Sequence, residues 1–82
     1  MKVIKRDGRA VDYDKEKIVV AIEKANNEVR AKERASKEDI KGIVNYIEEL
    51  DKKRMLVEDI QDIIEEQLML HEKYELAKKY IE

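Results

Sequence analysis

The spacing of apolar residues changes several times along this chain, and each change marks an element. Lys2 to Arg6 and Arg9 to Tyr13 are short alternating runs, the period of a half-buried strand, and Asp7-Gly8 separates them. Asp-Gly tolerates the positive φ angles of a two-residue type I′ turn, so a β-hairpin is predicted. Such a turn places Lys5 and Arg6 on opposite faces of the ribbon.

After the hairpin the period becomes helical. Asp14 is a good N-cap, and Ile18, Val19, Ile22 and Ala25 follow on one face, which predicts a first helix from Lys15 to about Asn27. Glu28 to Ala35 reads as a charged connection with only Val29 to anchor it. Ser36 with Asp39 three residues later resembles a capping box, and it opens a second helix from Lys37 to about Asp51. Ile40, Ile43, Val44, Ile47 and Leu50 form the clearest amphipathic stripe in the chain. Gly42 interrupts that helix at a cost of up to ~1 kcal/mol, for which close helix packing is the simplest explanation.

Arg54 to Val57 is a short apolar run suited to a third strand beside the hairpin, because two strands alone are marginally stable. A third helix follows from Glu58 to Leu70, with Ile60, Ile63, Ile64, Gln67 and Leu68 on one side and Glu58 and Asp59 suiting its first turn. His71-Glu72 breaks it. The fourth helix, from Lys73 to the end, is expected to turn Tyr74, Ala77, Tyr80 and Ile81 inward. Two or three strands and four helices account for the whole chain, so the predicted class is α+β and mostly helical, with a small β-hairpin or three-stranded sheet.

Composition narrows the function more than the fold. Eighty-two residues make one small domain, in which multi-step chemistry is not expected. Charged residues reach 46%, but the 43% that are apolar fall in a helical period, which separates this chain from a disordered tail. With no Cys there is no disulfide framework, zinc ribbon or thiol nucleophile. No apolar run is long enough to span a membrane and no secretory signal is present, so a cytoplasmic protein is expected. Residues 1 to 17 hold six Lys/Arg against four Asp/Glu, whereas the remainder carries a net charge of −4. An acidic helical body repels a nucleic-acid backbone, while a small basic cap suits a compact polyphosphate.

Three cations concentrate where hairpin and first helix meet: Lys5 and Arg6 near the turn, and Lys17 at about the third helical position, where a cation opposes the macrodipole unless an anion is nearby. Together with the helix N-terminus they could serve one phosphate group. The same spacing is compatible with ordinary solvated charges. No Ser/His/Asp or Cys/His set and no Walker-type glycine-rich loop is present, and the lone His71 reads as a surface residue at a helix junction.

Val3-Ile4-Lys5-Arg6-Asp7-Gly8, followed by Tyr13-Asp14, Lys17-Ile18 and Ala21 to Ala25, resembles the opening of the ATP-cone domain. Val57 to Glu65 resembles that family's third helix, and Tyr74 to Ile81 its last, so the likeness runs over about the whole chain. It implies a β cap closing a four-helix bundle with ATP or dATP held between them as an allosteric ligand, Mg²⁺ being admitted but not required. Lys5, Arg6 and Lys17 would meet the triphosphate. Val3, Ile18 and Val57 would pack around base or ribose, plain core packing being the other explanation of these three. Asp14 would contact a nucleotide hydroxyl or amine. Leu56 stands where the family commonly has Ser or Thr as the cap of the third helix, which removes a hydroxyl contact.

The resemblance further implies a regulatory module, not an enzyme, that adjusts ribonucleotide reductase activity through subunit association. The chain is then expected to be an N-terminal fragment of a longer reductase, the overall look of residues 2 to 25 pointing to the anaerobic class, with the rest of that enzyme as its partner. A helical protein-interaction module that binds no nucleotide is the competing function.

Overall fold

The computed structural model describes residues 1–82. Strands β1 (Lys2–Ile4) and β2 (Ala10–Asp12) form the antiparallel hairpin, with Val3 opposite Val11. Its loop differs from the expected one. Lys5 N–H donates to Arg9 O at 2.8 Å and Gly8 N–H to Lys5 O at 2.9 Å, so the loop is the three residues Arg6-Asp7-Gly8. Gly8 alone of these has a positive φ, +87°, the geometry of a hairpin with a glycine bulge. Asp7 favours this form because its carboxylate accepts from Arg9 N–H at 3.0 Å and from Arg9 Nε at 2.7 Å. As a result Lys5 is the last paired position, on the same face as Val3 and Val11, and Arg6 belongs to the loop rather than to the opposite face of a strand.

Strand β3 (Arg54–Leu56) lies parallel to β1 with Met55 opposite Val3, giving the order β2-β1-β3. Alternation puts Val3, Val11 and Met55 on the inner face, where Met55 is buried and Val3 packs against the core. Lys2 and Asp12 pair on the outer face, which Ile4 and exposed Leu56, opposite each other, continue toward the hairpin tip.

Each helix begins where local chemistry allows it. Asp14 caps α1 (Lys15–Asn26), its Oδ1 accepting from Glu16 N–H at 3.0 Å. The capping box of α2 (Lys37–Glu49) is complete: Asp39 N–H donates to Ser36 Oγ and Ser36 N–H to Asp39 Oδ2, both at 3.0 Å. This helix stops before Asp51, which takes a left-handed φ of 52°. Helix α3 (Val57–Leu70) follows β3 without a loop, one residue earlier than expected. Glu72, at φ 61°, separates it from α4 (Tyr74–Ile81).

Helix α1 packs on α2 and α4, and α3 on α2 and α4, around a core of fifteen buried apolar residues with no buried polar side chain. The stripes of the first three helices supply most of it. In α4 the expected face is rotated: Leu76 and Ala77 are fully buried, Tyr80 partly so, while Tyr74 and Ile81 are exposed. Eight residues are two turns, too few to fix a face by period when apolar residues occur at five of the positions. The connection after α1 is also better anchored than Val29 alone would make it. A 3₁₀ turn spans Ala31–Glu33, Ala35 is buried, and the Asn26 side chain donates to Ala35 O at 3.0 Å and accepts from Ala35 N–H at 2.9 Å.

Gly42 does not serve helix packing. It is exposed, and a Cβ placed on it would meet no atom within 4 Å. Gly42→Ala is therefore expected to stabilise the domain by about 1 kcal/mol, the intrinsic cost of glycine in a helix interior, read as a rise in thermal midpoint. Acid should act in the opposite direction. The Ser36 N–H above all, with His71 Nδ1 3.5 Å away as a lesser influence, holds the Asp39 carboxyl below its ordinary value. A depressed folded-state pKa contributes stability that is complete above about pH 4 and is lost as pH falls through the folded value. Denaturant titrations from pH 5 to 2 should show that loss, and Asp39→Asn should flatten part of it; Arg9 and Lys2 also hold the Asp7 and Asp12 carboxyls below their ordinary values, but both are exposed and screened, so they add little.

Candidate functional site

Under the inner face of the sheet, where β1 and β2 meet α1, α3 and α4, lies a cleft of about 220 Å³. Three separate segments of sequence bring the predicted residues to it. Val3 and Lys5 come from the first strand and its extension, Asp14, Lys17 and Ile18 from the start of α1, and Val57 from the start of α3. Six of the seven residues singled out in the sequence thus line one space.

Arg6 is the exception. Its Nη2 donates to Gln61 Oε1 at 3.1 Å, and its Nε stands 3.4 Å from Glu58 Oε1, so the guanidinium lies over the outer side of α3. A recess of about 410 Å³ at the hairpin tip, bordered by Lys5, Arg6, Asp7, Val57 and Gln61, adjoins the cleft through Lys5, Val57 and Gln61.

The sequence reading missed several lining residues. Val11 shares the inner face with Val3, which the alternation of the hairpin already contained. Gln61 is one helical turn beyond Val57, and Ala21 one turn beyond Lys17, so both follow from i,i+4 spacing once the first member is placed. Tyr13 and Tyr80 close the sides; no period identifies them as lining a cleft, because each is also a packing residue.

Charge is distributed unevenly across the cleft. Neither Lys5 nor Lys17 is in an ion pair, whereas Asp12 is occupied by Lys2. Asp14 already supplies an anion to the α1 N-terminus, so that end is less available to a phosphate than its position suggested. The open helix end is that of α3. Its N-cap, Leu56, makes no side-chain cap, which leaves the first N–H groups without a side-chain acceptor beside Val57. Tyr13 donates to Glu48 Oε2 at 2.9 Å, tying the end of the hairpin to α2; burial first, and Glu48 second, push its pKa up and keep it a neutral donor.

A second groove, about 410 Å³ between α1 and α2, contains none of the predicted residues and mixes three lysines with Glu16 and Glu23. The cleft under the sheet has the more selective make-up: aliphatic residues, two tyrosines, and two lysines that make no ion pair. It suits a molecule that joins an apolar or aromatic part to an anionic one. His71 stands outside it, beside Asp39.

These features define a small ligand-binding module. The match to known families is specific: the model of the ATP cone domain covers residues 1–82, and the chain belongs to the ATP-cone domain family. That family is a nucleotide-binding regulatory module, not a catalytic one, whose members bind ATP or dATP allosterically. No helix is long and apolar enough to cross a membrane.

Proposed function

We propose that this domain senses ATP and dATP in the cleft beneath its β cap and controls a ribonucleotide reductase through subunit association, as the N-terminal part of that cytoplasmic enzyme. The supporting observation is the convergence of Lys5 and Lys17, from different elements and both without ion-pair partners, on one cleft with aliphatic walls. Val3, Ile18 and Val57 hold base and ribose by apolar contact, and Asp14 accepts from a hydroxyl or amine. Lys5 and Lys17 take the phosphates. The cleft alone is small for a whole nucleoside triphosphate, so the chain of phosphates runs on into the recess at the hairpin tip, where Arg6 and the uncapped start of α3 are available. Mg²⁺, where it takes part, enters on the phosphates.

A bound nucleotide joins Lys5 on the cap to Lys17 on α1, which ties a marginal sheet to the bundle. That coupling gives the domain its signal: cap and helices become one rigid unit, and the surfaces they present to other subunits change in stability.

The competing function, an interaction module without nucleotide, has its own supporting feature in exposed Leu70, Tyr74 and Met69 around the α3–α4 corner. Thermal melts separate the two. Ligand at a hundredfold excess over its dissociation constant stabilises a fold by ~2.7 kcal/mol, which for a domain this small corresponds to a rise of about 10 °C or more. ATP and dATP should each give such a rise and AMP much less, and Lys5→Ala or Lys17→Ala should abolish most of it while leaving the ligand-free melt nearly unchanged. Melts that millimolar ATP and dATP leave unmoved would favour the interaction module.

A further inference from the structure

Arg6 is the one predicted phosphate ligand outside the cleft, and the reason is visible in its partners. The groove it covers, between α3 and the end of α4, is bordered by Glu58, Asp62, Glu65 and Glu82, with Arg6 the only cation among its lining residues. Within it, Glu58 makes the ion pair and Gln61 the hydrogen bond that fix the guanidinium. Gln61 borders the acidic groove, the tip recess and the nucleotide cleft alike. Arg6 therefore stands at the edge of the tip recess into which the phosphates are proposed to run, with Gln61 between it and the cleft proper.

We propose that Glu58 holds Arg6 away from the cleft in the ligand-free domain, so that triphosphate binding exchanges an Arg6–Glu58 pair for an Arg6–phosphate pair. This rests on the nucleotide-binding function proposed above and adds a specificity determinant to it. The geometry makes the exchange feasible. Both side chains are well exposed, at 70% and 63%, so the pair is screened and weak, while a phosphate offers the guanidinium a more highly charged, bidentate partner. Arg6 also sits on a loop whose hydrogen bonds involve Lys5, Asp7, Gly8 and Arg9 and not its own side chain, so the guanidinium can change partners without disturbing the hairpin. Gln61 can keep its bond to Arg6 throughout, acting as a pivot. Glu58 then sets how steeply affinity depends on phosphate number, because AMP does not reach Arg6 and ATP must compete for it.

Calorimetric titration of the whole 82-residue chain with ATP and with AMP tests this, using Glu58→Gln, Glu65→Gln, Arg6→Ala and the Arg6→Ala/Glu58→Gln double variant. Glu58→Gln should tighten ATP binding by about two- to fivefold, the worth of one exposed ion pair, and leave AMP unchanged. Glu65→Gln removes an equal charge from the same groove without touching Arg6 and should do much less. In the Arg6→Ala background the gain from Glu58→Gln should vanish. Equal gains from Glu58→Gln and Glu65→Gln, a gain that survives Arg6→Ala, or an equal gain for AMP would overturn the exchange and leave a general field effect. A helix-end role of Glu58 alters stability but not the ATP/AMP ratio. Wild-type chain that binds ATP with no gain in Glu58→Gln sinks the role of Glu58 alone; no ATP binding by any of the proteins sinks the nucleotide-binding function as well.

Discussion

Three strands of three residues each cannot stand alone, and the architecture depends on how β1 is held between the other two. Val3 is the centre of that arrangement, opposite Val11 on one side and Met55 on the other, with all three turned toward the helices. Met55 is buried in the common core, and Lys53 O accepts from Lys2 N–H at 2.8 Å, so the segment between α2 and α3 clamps the hairpin from its far edge. Because α3 starts at Val57, directly after β3, the same clamp fixes the start of α3 against the hairpin tip. A single apolar row thereby determines both the cap and the mouth of the cleft.

The cleft lies under the inner face of this small sheet, and some of its residues do two jobs. Val3, Tyr13 and Tyr80 pack against the core and also line the cleft, so occupation of the site and cohesion of the cap cannot be separated. Unpaired Lys5 and Lys17 face an opening next to Asp12 and Asp14, and α3 presents Glu58 and Asp62 just beyond. An extended polyanion would have to lie against the acidic body, which repels it.

Helices α1, α2 and α3 were legible in the sequence because each has a capping or first-turn signal and three or more apolar residues at helical spacing. The third strand was legible from Arg54 to Leu56, where apolar residues lacked helical partners upstream. The hairpin was correct in kind and wrong in register by one residue. Asp-Gly is compatible with both a two-residue turn and a three-residue loop, and the choice was made by the Asp7 carboxylate binding Arg9 two residues on, a short-range contact that the Asp-Gly pair by itself does not distinguish. The same shift decided the site. It put Lys5 with the inner face and left Arg6 to the loop, where long-range contacts to Glu58 and Gln61, more than fifty residues away, set its position. Leu76 escaped notice in a two-turn helix, and Gly42 suggested a packing contact that does not exist.

The central claim, that nucleotide occupies the cleft under the sheet, is tested most directly by mapping amide chemical-shift changes in the isotopically labelled chain during an ATP titration. Shifts should concentrate at Val3, Lys5, Lys17, Ile18, Val57 and Gln61, the residues contributed by β1, α1 and α3 to one space. Changes confined instead to Lys37, Lys41 and Asn45 in the α1–α2 groove, or to Leu70 and Tyr74 at the α3–α4 corner, would contradict it.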